Sequence, residues 1–124
     1  MALAPRSHHP AQRRRLAVPL NPRGGRPYWR LQARVHAEET TCVLCGLPVL
    51  KHLRGTNHPL EPTIEHLTPL KHGGDPLDRN NCRLSCRCCN TSRGTRTIAE
   101  ASPRCRELSL KHRQALQAPA LLPW

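Results

Sequence analysis

The sequence predicts a small α+β fold, on three observations. Two Cys-x-x-Cys pairs, "CVLC" (42–45) and "CRCC" (86–89), stand with 40 residues between them. Short β-branched or apolar runs, "TIEHL" (63–67) and "CRLS" (82–85), fall inside that interval and read as brief strands. Stretches with apolar residues at helical spacing lie outside it. The chain has 124 residues, 37% of them hydrophobic, with no Phe, one Tyr and two Trp. A chain so short and so poor in aromatics seldom folds on apolar burial alone, so a staple is expected.

In chain order, residues 1–26 are rich in Pro, Arg and Gly ("RRRLAVPLNPRGGRP") and read as a flexible basic arm. "PYWRLQARVHAEET" (27–40) predicts a helix opened by Pro27, with Tyr28, Leu31 and Val35 on its inner face. The first Cys pair turns at Gly46 and Pro48, and residues 51–62 read as a polar loop. After "TIEHL", the run "TPLKHGGDPLDRN" is a long loop punctuated by two prolines and Gly73-Gly74. A helix is predicted over 88–100, weakened at Gly94. A last helix is predicted over 103–118, capped by Ser102-Pro103, with Leu108 and Leu116 inward. The organisation is therefore an arm (1–26), a central domain (27–101), and a C-terminal helix and tail (102–124).

The formal net charge is +12, from 20 Lys and Arg against 8 Asp and Glu. Such a surplus points to a polyanionic partner, nucleic acid first. A membrane surface ranks low, because no basic amphipathic helix with large apolar anchors is visible. Seven cysteines, two of them adjacent, suit a disulfide framework poorly. With no apolar leader and no run of transmembrane length, a reducing cytoplasm is expected, where clustered thiols hold metal. Two CxxC pairs supply a closed tetrahedral thiolate shell, which suits structural Zn²⁺. The spacing favours Cys42, Cys45, Cys86 and Cys89 as ligands over Cys88. Redox-active or merely buried thiols are the rival reading, and Cys82 and Cys105 read as small packing residues.

Glu65 and His66 are consecutive, so on a strand they point to opposite faces. That suits two groups acting on different objects, such as a metal and a water. The ordered motifs "C42VLC45G", "IE65H66LTPLKHGG" and "N81CRLSC86RCC89N90TSRG" resemble the HNH endonuclease family in its zinc-braced branch, over about residues 27–97. The resemblance implies a ββα-metal core, the His-Me finger, with a structural Cys₄ zinc site and flanking helices. It further implies His66 as general base, Glu65 and Asn90 as ligands of a catalytic Mg²⁺ or Mn²⁺, and Asn81 as the residue that holds the loop and orients the histidine. The family usually has Asp at the position of Glu65. Lys71, His72, Arg93 and Arg96 are candidate phosphate contacts. The partner implied is DNA, with phage packaging or mobile-element proteins as a weaker analogy. The residue chemistry agrees: an imidazole titrating near neutrality can take a proton from water, and carboxylate and amide oxygens suit a hard divalent ion. Two other readings stay open, a nucleic-acid-binding zinc ribbon without catalysis and a zinc-stapled protein-interaction module.

Overall fold

The computed structural model describes residues 24–117; most of the basic arm and the tail "APALLPW" lie outside the described residues. Helix α1 spans Arg26–Glu38 and buries the stripe Tyr28, Leu31 and Val35, the face its spacing predicts. Its chain then bends through extended Glu39 into a knuckle. Cys42 N–H donates to Leu47 O (2.9 Å) and Gly46 N–H to Cys42 O (2.9 Å), a turn that needs the positive φ (+73°) of Gly46. A 3₁₀ turn follows at Lys51–Leu53. The loop expected over 51–62 is exposed only in part: Leu60 is fully buried in the core and Glu61 is buried beside it.

Strand β1 (Pro62–His66) pairs antiparallel with β2 (Cys82–Cys86), in the register Pro62↔Cys86, Ile64↔Leu84, His66↔Cys82. Pro62 is the first strand residue, where its missing N–H costs the ladder nothing. Helix α2 (Arg87–Arg93) starts directly from β2 and stops at Gly94, whose φ is +60°. Helix α3 spans Ile98–Gln117. The helix expected over 88–100 is therefore two helices, and Gly94 ends the first one. The last helix starts a turn earlier than Ser102. Thr97 and Glu100 form a reciprocal cap: Thr97 N–H donates to Glu100 Oε1 (2.9 Å) and Glu100 N–H to Thr97 Oγ1 (3.1 Å). "TIAE" is thus a capping box, a stronger start signal than Ser-Pro. Pro103 sits inside α3. Leu116, expected inward, is 49% exposed, about two turns beyond Ser109, the last buried residue of α3.

The core joins α1, the knuckle, both strands and α3 through Leu31, Val35, Leu44, Leu60, Ile64, Leu84 and Ala101, and it is continuous with the buried cysteines. Cys82 and Cys105 are fully buried in it. The two-stranded sheet is covered on one side by α1 and on the other by α2. Consequently both faces of β1 are buried at its C-terminal end, Glu65 and His66 included. No helix among the described residues is long and apolar enough to cross a membrane.

Candidate metal centre and active site

Among the described residues, Cys42, Cys45, Cys86 and Cys89 are all buried, and their Sγ atoms lie within 4.8 Å of one another. Tetrahedral Zn–S bonds of about 2.3 Å would place sulfurs roughly 3.8 Å apart, so the cluster's spacing is compatible with zinc. The surroundings suit anionic sulfur. Cys42 Sγ accepts from the N–H groups of Leu44 (3.4 Å), Cys45 (3.3 Å) and Cys86 (3.3 Å). Without a cation the four thiols cannot all ionise: hydrogen bonding within the cluster holds Cys45 below the usual thiol range, and Cys86 and Cys89 above it. A divalent ion removes that conflict. Cys88, only half-buried, sits 4.0 Å from Cys89 Sγ and is not part of the cluster.

Helix α3 supplies partners that spacing did not single out. Ser109 Oγ lies 3.4 Å from Cys45 Sγ, Arg106 donates to Cys45 O (3.0 Å), and Arg113 reaches Ser109 Oγ (3.0 Å) and Cys86 Sγ (3.7 Å). Cys105, Ser109 and Arg113 recur every four residues, which places them on one helical face. A serine and an arginine continuing a cysteine's face were the available signal.

At the end of β1 the structure divides the consecutive pair between two faces. The His66 imidazole faces α1, stacked on Tyr28 with ring centroids 6.4 Å apart and planes 24° apart. The Glu65 carboxylate faces α2. Its Oε1 accepts the His66 N–H (3.0 Å) and pairs with Arg93 (3.4 Å). Its Oε2 is buried with no hydrogen-bond partner. Burial pushes the Glu65 carboxyl up to about 7, against the opposing pull of Arg93 and the His66 N–H.

Arg93, expected at phosphate, is only 2% exposed and is directed inward. Its guanidinium donates to Arg96 O (2.6 Å), His66 O (2.7 Å) and Leu67 O (2.8 Å) besides pairing with Glu65. A fork donor satisfies several carbonyls where the strand leaves the sheet, which is work for an arginine and not for a lysine. Arg96 lies in the link between α2 and α3 and folds back to the carbonyls of Ser92 and Arg93.

Asn90 on α2 donates from Nδ2 to Ile64 O (2.9 Å) and Thr63 Oγ1 (3.4 Å), which leaves Oδ1 as its remaining acceptor. It therefore grips the strand one residue before Glu65. Asn81 clamps the long loop: Oδ1 accepts from Thr68 N–H (2.7 Å), and Nδ2 donates to Thr68 O and Asp75 O (3.1 Å each). Gly74 lies so close that an added Cβ would come 1.8 Å from Thr68 O. Lys71 and His72 are exposed on a 3₁₀ turn, Leu70–His72, and no hydrogen bond or ion pair among the described residues ties them to the Glu65–Arg93 group.

The structure thus brings Glu65, Arg93 and the His66 backbone together, with Asn90 and Asn81 holding the strand and loop on either side. Residues 42–96 match the HNH endonuclease family. The match runs from the first zinc-type knuckle into the link after α2, so it takes in every one of these side chains. The fold is that of the resemblance: two antiparallel strands, the helices packed on them, and a Cys₄ cluster compatible with zinc. No curated protein and no solved structure matches the chain. The family match supports a nuclease-type function and a nucleic-acid partner.

Proposed function

We propose that this HNH segment is a metal-dependent endonuclease that hydrolyses phosphodiester bonds of DNA, by nicking or double-strand cleavage. The observation that carries the reading is Glu65. One oxygen of its buried carboxylate is engaged and the other has no hydrogen-bond partner. An unsatisfied buried acceptor is costly and calls for an explanation, and a cation is the simplest one. Glu65 Oε2 and Asn90 Oδ1 are the oxygens that would hold Mg²⁺ or Mn²⁺, hard-ion donors well separated in type from the thiolates of the structural site. When bound, that ion neutralises charge on the scissile phosphate and the leaving 3′ oxygen.

The protein residues do the rest. His66 takes a proton from the attacking water. Tyr28 sets the ring plane of His66, while Arg93 fixes the carbonyl on His66 and the carboxylate on Glu65. Asn81 and Gly74 hold the loop that leaves the site. Once the side chains that cover the end of β1 move aside, a phosphodiester laid there reaches the carboxylate side and the imidazole side together. The expected products carry 5′ phosphate and 3′ hydroxyl ends. Thiol-bound zinc fits a reducing cytoplasm, and contacts with phage packaging or mobile-element proteins belong to this proposal as family analogy. Lys71 and His72, both exposed, are the candidate phosphate contacts that keep free side chains, and Arg96 stands nearer the backbone it caps.

One observation favours a second reading: His66 is buried in the described conformation, so substrate reaches it only after the covering side chains move. A nucleic-acid-binding module without catalysis needs no such movement. Zinc-loaded protein incubated with supercoiled plasmid and Mg²⁺ or Mn²⁺ separates the readings. Nicking by the wild type that is lost in His66→Ala and Glu65→Gln supports the nuclease. Plasmid binding with no metal-dependent nicking favours the binding module. Neither binding nor nicking leaves the zinc-stapled interaction module.

A further inference from the structure

A cleft of about 410 Å³ opens between α1, β1 and the turn at Arg54–Gly55. One wall is the α1 stripe Tyr28, Gln32 and His36, at four-residue spacing; Thr63 and Asn90 line it beside the strand, and Arg54 stands on the loop side. It meets the proposed active site at two residues. Tyr28 stacks on His66, and Asn90 grips β1 beside Glu65.

The charges in the cleft are unevenly answered. Glu61 also lines it, but one of its oxygens accepts the Gly55 N–H (2.8 Å) and the other faces Arg87 (3.7 Å). The Arg54 guanidinium is exposed and makes no hydrogen bond or ion pair among the described residues. His36 is held down to about 4, by burial first and then by Arg54 and Lys51, so it is neutral at pH 7 and offers hydrogen bonding without charge. Among the described residues, what the cleft opens to a ligand is the exposed Arg54 guanidinium and the neutral polar side chains of Gln32 and His36, beside the buried Tyr28 ring that leads to the active site. Those are the features of a seat for a sugar-phosphate.

We infer that this cleft seats the substrate strand immediately beside the scissile phosphate, with Arg54 on the neighbouring phosphate and Gln32 on a sugar or base edge. The inference rests on the nuclease reading and adds to it a specific subsite whose new residues, Gln32 and Arg54, lie outside the strand-loop-helix motif. Arg54 and Gln32 become positioning residues for the strand, and neither touches the reacting atoms.

The test is a salt titration of binding between the full zinc-loaded chain and a DNA duplex, without Mg²⁺ or Mn²⁺, alongside plasmid nicking. Each lost phosphate contact lowers the slope of log K against log salt by about 0.9 on duplex DNA. Arg54→Ala is expected to lower the slope by about that amount and to raise KM while leaving kcat within about twofold, and Arg54→Lys to restore the slope. Gln32→Ala is expected to weaken binding with the slope unchanged. Arg54 is exposed and Gln32 half-buried at the cleft wall, and circular dichroism verifies that each variant folds. If Arg54→Ala keeps both slope and KM while the wild type still nicks, the subsite is wrong and the nuclease reading stands. If the wild type neither binds nor nicks DNA, both fall.

Discussion

Replacing Arg93 by Ala tests the account of the site most directly. The side chains of Arg93 and Glu65 are 3% and 8% exposed, so the pair is nearly free of solvent. Removing the guanidinium leaves Glu65 Oε1 with only the His66 N–H and takes a donor from the carbonyls of His66, Leu67 and Arg96. Breaking a buried pair from one side costs about 3–5 kcal/mol, because the other charge stays buried without its partner. That is a large share of a small domain's stability, which runs at roughly 5–15 kcal/mol. Urea unfolding of the zinc-loaded protein measures it. The penalty also carries a pH signature. The Glu65 carboxyl titrates near 7 in the folded protein against 4.5 unfolded, and losing Arg93 raises the folded value further. A carboxyl raised on folding favours the native state when protonated; its contribution is complete below about 4.5 and is lost as pH rises through about 7. Arg93→Ala is therefore expected to cost more at pH 8 than at pH 5.5, and the double variant Arg93→Ala/Glu65→Gln to recover part of the loss. A cost under about 1 kcal/mol at both pH values, the range of an ordinary surface substitution, would refute the strut role assigned to Arg93.

Three further outcomes follow from the same geometry. Gly74→Ala places a methyl 1.8 Å from Thr68 O and 2.9 Å from Asn81 Nδ2, so the loop clamp must open; urea unfolding is expected to show a loss of about 2 kcal/mol or more, and an unchanged midpoint would contradict the packing. Arg113→Ala removes the cation beside Cys86 Sγ and the donor to Ser109; competition with a chromophoric chelator is expected to show zinc affinity lowered by about 10-fold, whereas Lys111→Ala, exposed on the same helix, leaves it unchanged. His36 is depressed from 6.5 to about 4, so its contribution to stability is present above pH 6.5 and is lost as pH falls toward 4; NMR titration of its ring should show the low value, and Arg54→Ala should raise it.

The sequence made the periodic and the covalently constrained parts legible. The stripe on α1, the β1–β2 pair and the four-cysteine cluster each follow from a short-range rule: helical spacing, alternation, or the reach of two thiols across two residues. What it hid were the places where one side chain meets distant backbone. Arg93 looks from spacing like any basic residue on a helix facing DNA. Only the sharp stop at Gly94 and the packing of α2 on β1 turn it inward, onto carbonyls of residues 66, 67 and 96. Gly94 was visible as a weak helix position, yet its consequence is positional: by ending α2 it lets the capping box at Thr97 start a new helix, which carries Ser109 and Arg113 to cysteine sulfurs and Arg106 to the Cys45 carbonyl. The division of Glu65 from His66 follows directly from strand alternation, but its meaning depends on what covers each face. Because α1 covers one side and α2 the other, the imidazole gains an aromatic neighbour and the carboxylate gains a cation. Two adjacent residues thereby enter different electrostatic environments, which is what the proposed mechanism asks of a base and a metal ligand. Exchange of Glu65 and His66 in sequence keeps composition and charge but puts a carboxylate against Tyr28 and an imidazole against Arg93; loss of both folding stability and nicking is the expected result, and retention of either would show that the two faces are interchangeable.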